Sequence, residues 1–104
     1  MFIGKVTGSV VSTQKIGSVQ GRKLLLISAM SVRGEDPGEL IETGRVAVAI
    51  DELGAGEGEL VLVTQGSSAR LTESTKNLPT DAVVVGIVDA IQSSGTQLYS
   101  KETS

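Results

Sequence analysis

Strict alternation marks the segment Arg45-Val46-Ala47-Val48-Ala49-Ile50-Asp51, near the middle of the 104-residue chain. Because successive side chains of a strand point to opposite faces, a period of two predicts a β-strand here. We expect its bulky side, formed by Val46, Val48 and Ile50, to enter the core. Its small side, formed by Ala47 and Ala49, is expected to let another surface pack closely, such as that of a neighbouring subunit.

Four further apolar segments surround this strand and are separated from it by glycine-containing turns. They cover residues 2–13, 23–30, 59–64 and 81–89. In the first, Gly4 and Gly8 predict bends or bulges, and Val6, Val10 and Val11 are the core candidates. The second is a continuous apolar run, which is typical of a strand buried on both faces; a short helix is the alternative, because periodicity alone does not exclude it.

One short helix is predicted after the fourth strand. The segment Gly66-Ser67-Ser68-Ala69-Arg70 has the chemistry of a helix start, with Ser67 or Ser68 as the N-cap. Five strands with one short helix before the last predict an all-β fold, a small β-barrel, rather than βαβ units. Residues 1–91 are expected to form a single domain, and residues 92–104 a polar tail with a possible short edge strand at Leu98-Tyr99.

Composition removes several classes of function. The chain has no Cys and no His, so disulfides, thiolate metal sites and the commonest general base are absent. Its net charge is −3, and Phe2 and Tyr99 are its only aromatic residues, so it lacks both a phosphate-tracking surface and a stacking platform for bases. The N-terminus lacks a signal-peptide pattern and no apolar run approaches the length of a membrane helix. We therefore expect a cytoplasmic protein without cofactor, metal, nucleic-acid or membrane partner.

Two motifs have superficial likeness to catalytic or nucleotide-binding signatures. The glycine-rich segment Gly54-Ala55-Gly56-Glu57-Gly58-Glu59 is followed by a strand, whereas a dinucleotide fingerprint opens a helix. We interpret it as a flexible hairpin connection. The segment at residues 66–70 lacks the closing glycine of a nucleophile elbow, and no His is present to activate a serine. Asp51, Asp81 and Asp89 flank strands, where aspartates usually cap turns and stay solvated.

Several segments together resemble the bacterial microcompartment vertex family. They are Gly4-Lys5-Val6-Thr7-Gly8-Ser9-Val10-Val11, Gly21-Arg22-Lys23-Leu24-Leu25-Leu26, Asp51-Glu52-Leu53-Gly54-Ala55-Gly56-Glu57-Gly58-Glu59, Gly66-Ser67-Ser68-Ala69-Arg70 and Asp81-Ala82-Val83-Val84-Val85-Gly86-Ile87-Val88-Asp89. The resemblance implies an OB-like five-stranded β-barrel that assembles into homopentamers. It also implies that these pentamers close the vertices of a carboxysome-like polyhedral shell whose facets are hexameric shell proteins.

In such a ring, five copies of the glycine-rich loop are hypothesised to line a narrow axial pore. Glu57 or Glu59 would then supply a ring of carboxylates that favours cations. The subunit interface is hypothesised to combine Ala47 and Ala49 with Ser67, Ser68 and Arg70, because arginine is favoured at interfaces.

Two other classes of function stay open from the sequence. An OB-type module that binds a ligand or a nucleic acid suits the barrel shape, although the acidic balance and the scarcity of aromatic residues oppose it. An enzyme would have to rely on residues such as Asp51 or Ser67, and it has the weakest support of the three.

Overall fold

The computed structural model describes residues 1–11, 23–35, 37–66 and 82–101. Seven strands account for most of these residues. They are β1 (Phe2–Val10), β2 (Lys23–Arg33), β3 (Glu39–Asp51), β4 (Leu60–Gln65), β5 (Ala82–Ile87), β6 (Ala90–Ser93) and β7 (Thr96–Ser100). The helix predicted from Gly66 onward falls on residues 67–81, which lie outside the described residues. Every strand predicted from the sequence is present, and β3 begins six residues earlier than its alternating segment.

The first five strands close into a barrel with the order β1-β2-β3-β5-β4. Its neighbouring strands are antiparallel except for β3 and β5, which pair in parallel at Ile50 and Val83. Strand β4 pairs with β1, and this pairing closes the wall. The prediction of an all-β, five-stranded barrel is confirmed. Closure gives each wall strand two neighbours and so removes the open edges of a flat sheet, although β3 pairs with β5 only at Ile50.

The barrel interior is filled by small and medium apolar side chains from all five strands and from one loop. The cluster comprises Val6, Leu25, Ile27, Ala49, Ala55, Val61, Val63, Ala82 and Val84, with Phe2 and Ile87 packed against it. Among the core candidates of the first strand, Val6 is buried as predicted. Val11 is 89% exposed, so its assignment to the core was wrong: β1 ends at Val10, and Val11 lies beyond the barrel wall.

The two sides of β3 face opposite to the prediction. Ala49 is 1% exposed and belongs to the core, whereas Val46 and Val48 are 62% and 46% exposed. A five-stranded barrel has a narrow interior, and small residues fit where strands approach one another closely. The bulky side of β3 therefore faces outward over most of its length, and only Ile50 on that side is buried.

Strands β2 and β3 extend past the barrel as a two-stranded ribbon. Beyond Ala29, β2 pairs only with β3, in the register Met30–Glu42 to Arg33–Glu39. The register shifts between Ser28 and Met30, where the Thr43 hydroxyl donates a 3.0 Å hydrogen bond to the Ala29 carbonyl. Gly34 and Gly38, both with positive φ, lie in the connection from β2 to β3 at the end of the ribbon.

Strands β6 and β7 form a separate hairpin after the barrel. It spans the boundary predicted at residue 91, and β7 contains Leu98 and Tyr99. The Lys101 amide donates a 2.8 Å hydrogen bond to the Asp89 carbonyl and joins the two ends of the hairpin.

Candidate functional site

The glycine-rich loop between β3 and β4 is anchored by the carboxylate of Asp51. Its Oδ1 accepts a hydrogen bond from the Leu53 amide and its Oδ2 accepts one from the Ala55 amide, both at 2.9 Å. Asp51 is 3% exposed. The turn-capping role predicted for a strand-end aspartate is confirmed, but its expected solvation is wrong, because both oxygens are buried against loop amides.

Ala55 holds the middle of the loop against the barrel. Its side chain is fully buried and belongs to the core cluster. Its carbonyl accepts a 3.1 Å hydrogen bond from the Lys23 ammonium, which lies on β2 opposite Asp51 in the strand register. The loop therefore has a buried residue at its centre and a charged donor fixed to its backbone.

The end of the loop continues the pairing of β1. The Gly58 amide donates to the Val6 carbonyl at 2.8 Å, and the Val6 amide donates to the Glu59 carbonyl at 2.9 Å. Gly58 has a φ of +91°, a conformation that favours glycine.

Our interpretation of the loop as a flexible hairpin connection is corrected on both counts. Strand β5 lies between β3 and β4, so the loop crosses a barrel end rather than joining paired strands. Asp51, Lys23 and Val6 each bind its backbone, so it is a fixed structure.

The two glutamates of the loop differ in their surroundings. Glu59 accepts a 2.5 Å hydrogen bond from the Gly56 amide through Oε1, and its Oε2 lies 2.8 Å from the Lys101 ammonium. The hydrogen bond from Lys101, followed by that from Gly56, holds the pKa of Glu59 below its usual value. Glu57 is exposed at the surface of the loop. Glu59 is thus committed to contacts within its own chain, and Glu57 is the carboxylate presented outward.

The Glu59–Lys101 ion pair links the loop to the β6–β7 hairpin, and we expect its removal to loosen that hairpin. A two-stranded hairpin is marginally stable alone, so it depends on such attachments. Lys101→Met should speed amide hydrogen exchange in β7 while leaving β2 unchanged. Lys101→Arg, which keeps the charge and donors, is the control. Equal exchange rates in wild type and Lys101→Met would contradict this role.

The same pair sets a pH dependence. Folding lowers the pKa of Glu59. The contribution of its charge to stability is therefore present above the unfolded pKa of 4.5 and is lost as the pH falls through the lower folded pKa. Folding raises the pKa of Lys101. The contribution of its charge to stability is therefore present below the unfolded pKa of 10.5 and is lost as the pH rises through the higher folded pKa. The extra hairpin protection of wild type over Lys101→Met should therefore disappear in acid.

The predicted interface residues are only partly described. Ser67, Ser68 and Arg70 lie outside the described residues, as does Asp81, so their roles stay predictions. Ala49 is buried inside its own barrel and Ala47 is half-buried, whereas Val46 and Val48 are exposed hydrophobic residues of this part of β3.

Two residues of the site were missed at the level of sequence. Lys23 begins the second apolar segment and Lys101 lies in the polar tail of residues 92–104, and neither was assigned a role from the sequence. Each acts through a partner more than thirty positions away, Ala55 and Glu59 respectively. No local pattern signals such pairs, because they depend on how the strands are ordered in the barrel.

No cluster of carboxylates suited to a metal ion occurs in residues 1–11, 23–35, 37–66 and 82–101. Asp89 is exposed in the connection between β5 and β6, while Asp51 uses both oxygens on loop amides. The candidate site is a loop whose backbone is held in place on a closed barrel. Such a loop can form a contact surface or line a pore.

The closed barrel and its anchored loop define a small all-β protein, and its sequence identifies the family. The sequence model of the family described as ethanolamine utilisation protein EutN/carboxysome matches residues 1–89. The chain belongs to this EutN/CcmL family.

Similar proteins cover nearly the whole chain. The bacterial microcompartment shell vertex protein PduN of Salmonella typhimurium is 50% identical over 91 residues, which is 88% of this chain and 98% of PduN. The structure of Gloeobacter violaceus CcmL matches with a TM-score of 0.84 and 40% identity, covering 98% of this chain and 99% of that one. The GrpN pentameric microcompartment shell protein of Rhodospirillum rubrum matches with a TM-score of 0.76 and 44% identity, covering 89% and 99%.

Proposed function

We propose that this chain is a structural shell protein that forms pentamers and caps the five-fold vertices of a bacterial microcompartment. The observation that carries the proposal is the sequence match to shell vertex proteins. The match covers almost the full length of both aligned chains, at up to 50% identity. The pentameric GrpN structure, at 44% identity, supports the ring.

The mechanism is geometric. A head-to-tail interface that closes after five copies gives a ring, and a ring of five fits the corner of a hexagonally tiled shell. Replacing six neighbours by five at one point introduces the curvature that a closed polyhedron needs. The partners at the rim of the ring would be hexameric shell proteins, which form the flat facets.

The fixed loop between β3 and β4 is the candidate for lining the axis of the ring. Because Glu59 is engaged by Lys101 and Gly56, Glu57 is the residue that would present carboxylates to a pore. Five such carboxylates around an axis favour cations over anions.

The described residues favour this role over an OB-type binding module. Phe2 packs against the core, and Tyr99 lies on the separate β6–β7 hairpin, so the two aromatic side chains form no shared platform for bases. Within the described ranges, no helix is long and apolar enough to cross a membrane. The relatives are shell proteins, and we infer that this chain likewise has no catalytic role.

Native mass spectrometry of the purified chain near neutral pH tests the ring. A species near 54 kDa, five times the 10.7 kDa of one chain, is expected. A chain that stays monomeric at high concentration would contradict the proposal and favour the binding module, which a salt-sensitive shift of labelled single-stranded DNA would then detect. If a structure of the ring places Glu57 on its outer rim, the pore assignment fails while the vertex role stands.

A further inference from the structure

A cleft of about 210 Å³ lies at the end of the barrel, beside the loop between β3 and β4. We call it the barrel mouth. Its floor is apolar and its rim is polar: the floor consists of Val6, Leu25 and Ala55, each at most 2% exposed, and the rim of Ser9, Lys23 and Glu57. Pockets for drug-sized ligands measure about 300–1,000 Å³, so the barrel mouth suits a smaller molecule.

The strand register directs two of the rim side chains toward the barrel mouth. Val6 pairs with Ile27, and both side chains belong to the core. The register shift that follows lets Ser9 pair with Leu25, so these two side chains share the inner face of the wall. Regular alternation from Val6 would have put Ser9 on the outer face. Lys23 precedes Leu25 by two residues and therefore lies on the inner face as well.

The ammonium of Lys23 is held in place and still has donors to offer. It donates one hydrogen bond of 3.1 Å to the Ala55 carbonyl. An ammonium group has three N–H donors, so two remain for a ligand. Because the loop already positions this side chain, a carboxylate that binds to it orders little that is not already ordered.

The carboxylate of Glu57 supplies the opposite charge at the same cleft. Within the described residues it has no hydrogen bond or ion pair, whereas Glu59 is engaged by Lys101 and Gly56. The rim thus carries one positive and one negative charge. A simple anion bound at Lys23 would be repelled by Glu57, and a simple cation bound at Glu57 would be repelled by Lys23.

We propose that the barrel mouth binds a small zwitterion, an aliphatic amino acid. Its carboxylate would accept hydrogen bonds from the Lys23 ammonium and the Ser9 hydroxyl, and its ammonium would donate to the Glu57 carboxylate. Its side chain would cover the apolar floor. Because both rim charges line one small cleft, a molecule that carries its two charges close together can reach both. The inference goes beyond the proposed shell role and does not depend on the ring.

The test is titration of the isotope-labelled protein with L-valine, followed by calorimetry and by the NMR shifts of the backbone amides. We expect saturable binding of one molecule per chain with a Kd of about 1 mM or tighter. The largest shifts should lie at Ser9, Lys23 and Gly56. Isovalerate lacks the ammonium and isobutylamine lacks the carboxylate, so each should bind at least about tenfold more weakly than L-valine.

Two variants change the barrel mouth without touching the contacts that hold the loop. Glu57→Gln removes the negative charge and should raise the Kd for L-valine at least about tenfold. Glu42→Gln removes an exposed carboxylate from the β2–β3 ribbon and is the matched control. Ser9→Leu adds bulk on the inner face and should abolish binding, whereas Thr7→Leu, at an exposed position of β1 outside the cleft, should not.

The outcomes separate this inference from the shell role. The absence of saturable L-valine binding up to about 10 mM overturns the inference. Equal affinities for L-valine and isovalerate, largest shifts away from the barrel mouth, or binding unchanged in Glu57→Gln and Ser9→Leu overturn it as well. A chain that binds L-valine as expected but forms no species near 54 kDa supports the inference and contradicts the ring alone.

Discussion

Replacement of Gly4 by alanine is expected to lower the free energy of unfolding by about 2–3 kcal/mol. A Cβ at this position would clash with Cγ2 of Ile27, which is fully buried in the core. Gly4 pairs with Ala29 on one side and with Val61 on the other, so its backbone cannot shift without disturbing two strand ladders. Urea unfolding at a fixed protein concentration measures the change.

The control for Gly4 is Gly8→Ala on the same strand. An added Cβ at Gly8 meets nothing within 4 Å, and we expect a change within about 0.5 kcal/mol. Ile27→Leu removes the branched methyl group that causes the contact, so Gly4→Ala/Ile27→Leu should lose less stability than the two single changes added together. Equal effects of Gly4→Ala and Gly8→Ala would show that close approach does not explain this glycine.

The sequence predicted the elements of the fold better than their arrangement. Alternation and apolar runs located all five barrel strands, because burial on a face leaves a local pattern. The parallel pairing of β3 with β5 leaves no such pattern, since it depends on residues more than thirty positions apart. The bulge expected near Gly8 is present as a register shift between Val6 and Gly8. Gly4, interpreted in the same way, is instead required by the proximity of Ile27.

The side of β3 that faces the core shows why an alternating pattern can predict the wrong buried face. Both of its sides are apolar, so hydrophobicity alone could not say which faces the core. Size decided the matter: Ala49 fits the narrow interior, and Val46 and Val48 remain outside. Once the barrel is known to be closed, an apolar outer side of β3 becomes informative. The wall is one layer thick, so it has no further layer that could cover that side.

The sequence correctly predicted a connection between β3 and β4 at the glycine-rich segment, but it did not predict how that connection is held. Its glycines predicted freedom, yet the chain uses Asp51 and Lys23 to fix it. Local sequence suggested that Asp51 caps a turn, because aspartates at strand ends commonly do. The burial that makes this cap energetically important comes from Ala55, which enters the core from the loop.

Asp51→Ala is expected to destabilise the protein by about 3 kcal/mol. The change removes a charged acceptor from two amides, and the Ala55 amide is left buried without a partner. Hydrogen exchange at the Leu53 and Ala55 amides should accelerate along with the loss of global stability. Asp51→Asn keeps one acceptor oxygen in nearly the same shape, so its effect should be intermediate.

Asp89→Ala is the control for Asp51→Ala. It removes a carboxylate near a strand end that does not hold the loop. Asp89 lies between β5 and β6 and is exposed, so we expect a change within about 0.5 kcal/mol. If Asp51→Ala costs no more than Asp89→Ala, the packing of Ala55 and the hydrogen bonds from Lys23 and Val6 hold the loop without the carboxylate. If it costs as much as expected while the pentamer survives, the carboxylate fixes the loop independently of the ring. A loop fixed within each subunit reaches the ring already shaped, so five copies can present Glu57 at equivalent positions without paying for order during assembly.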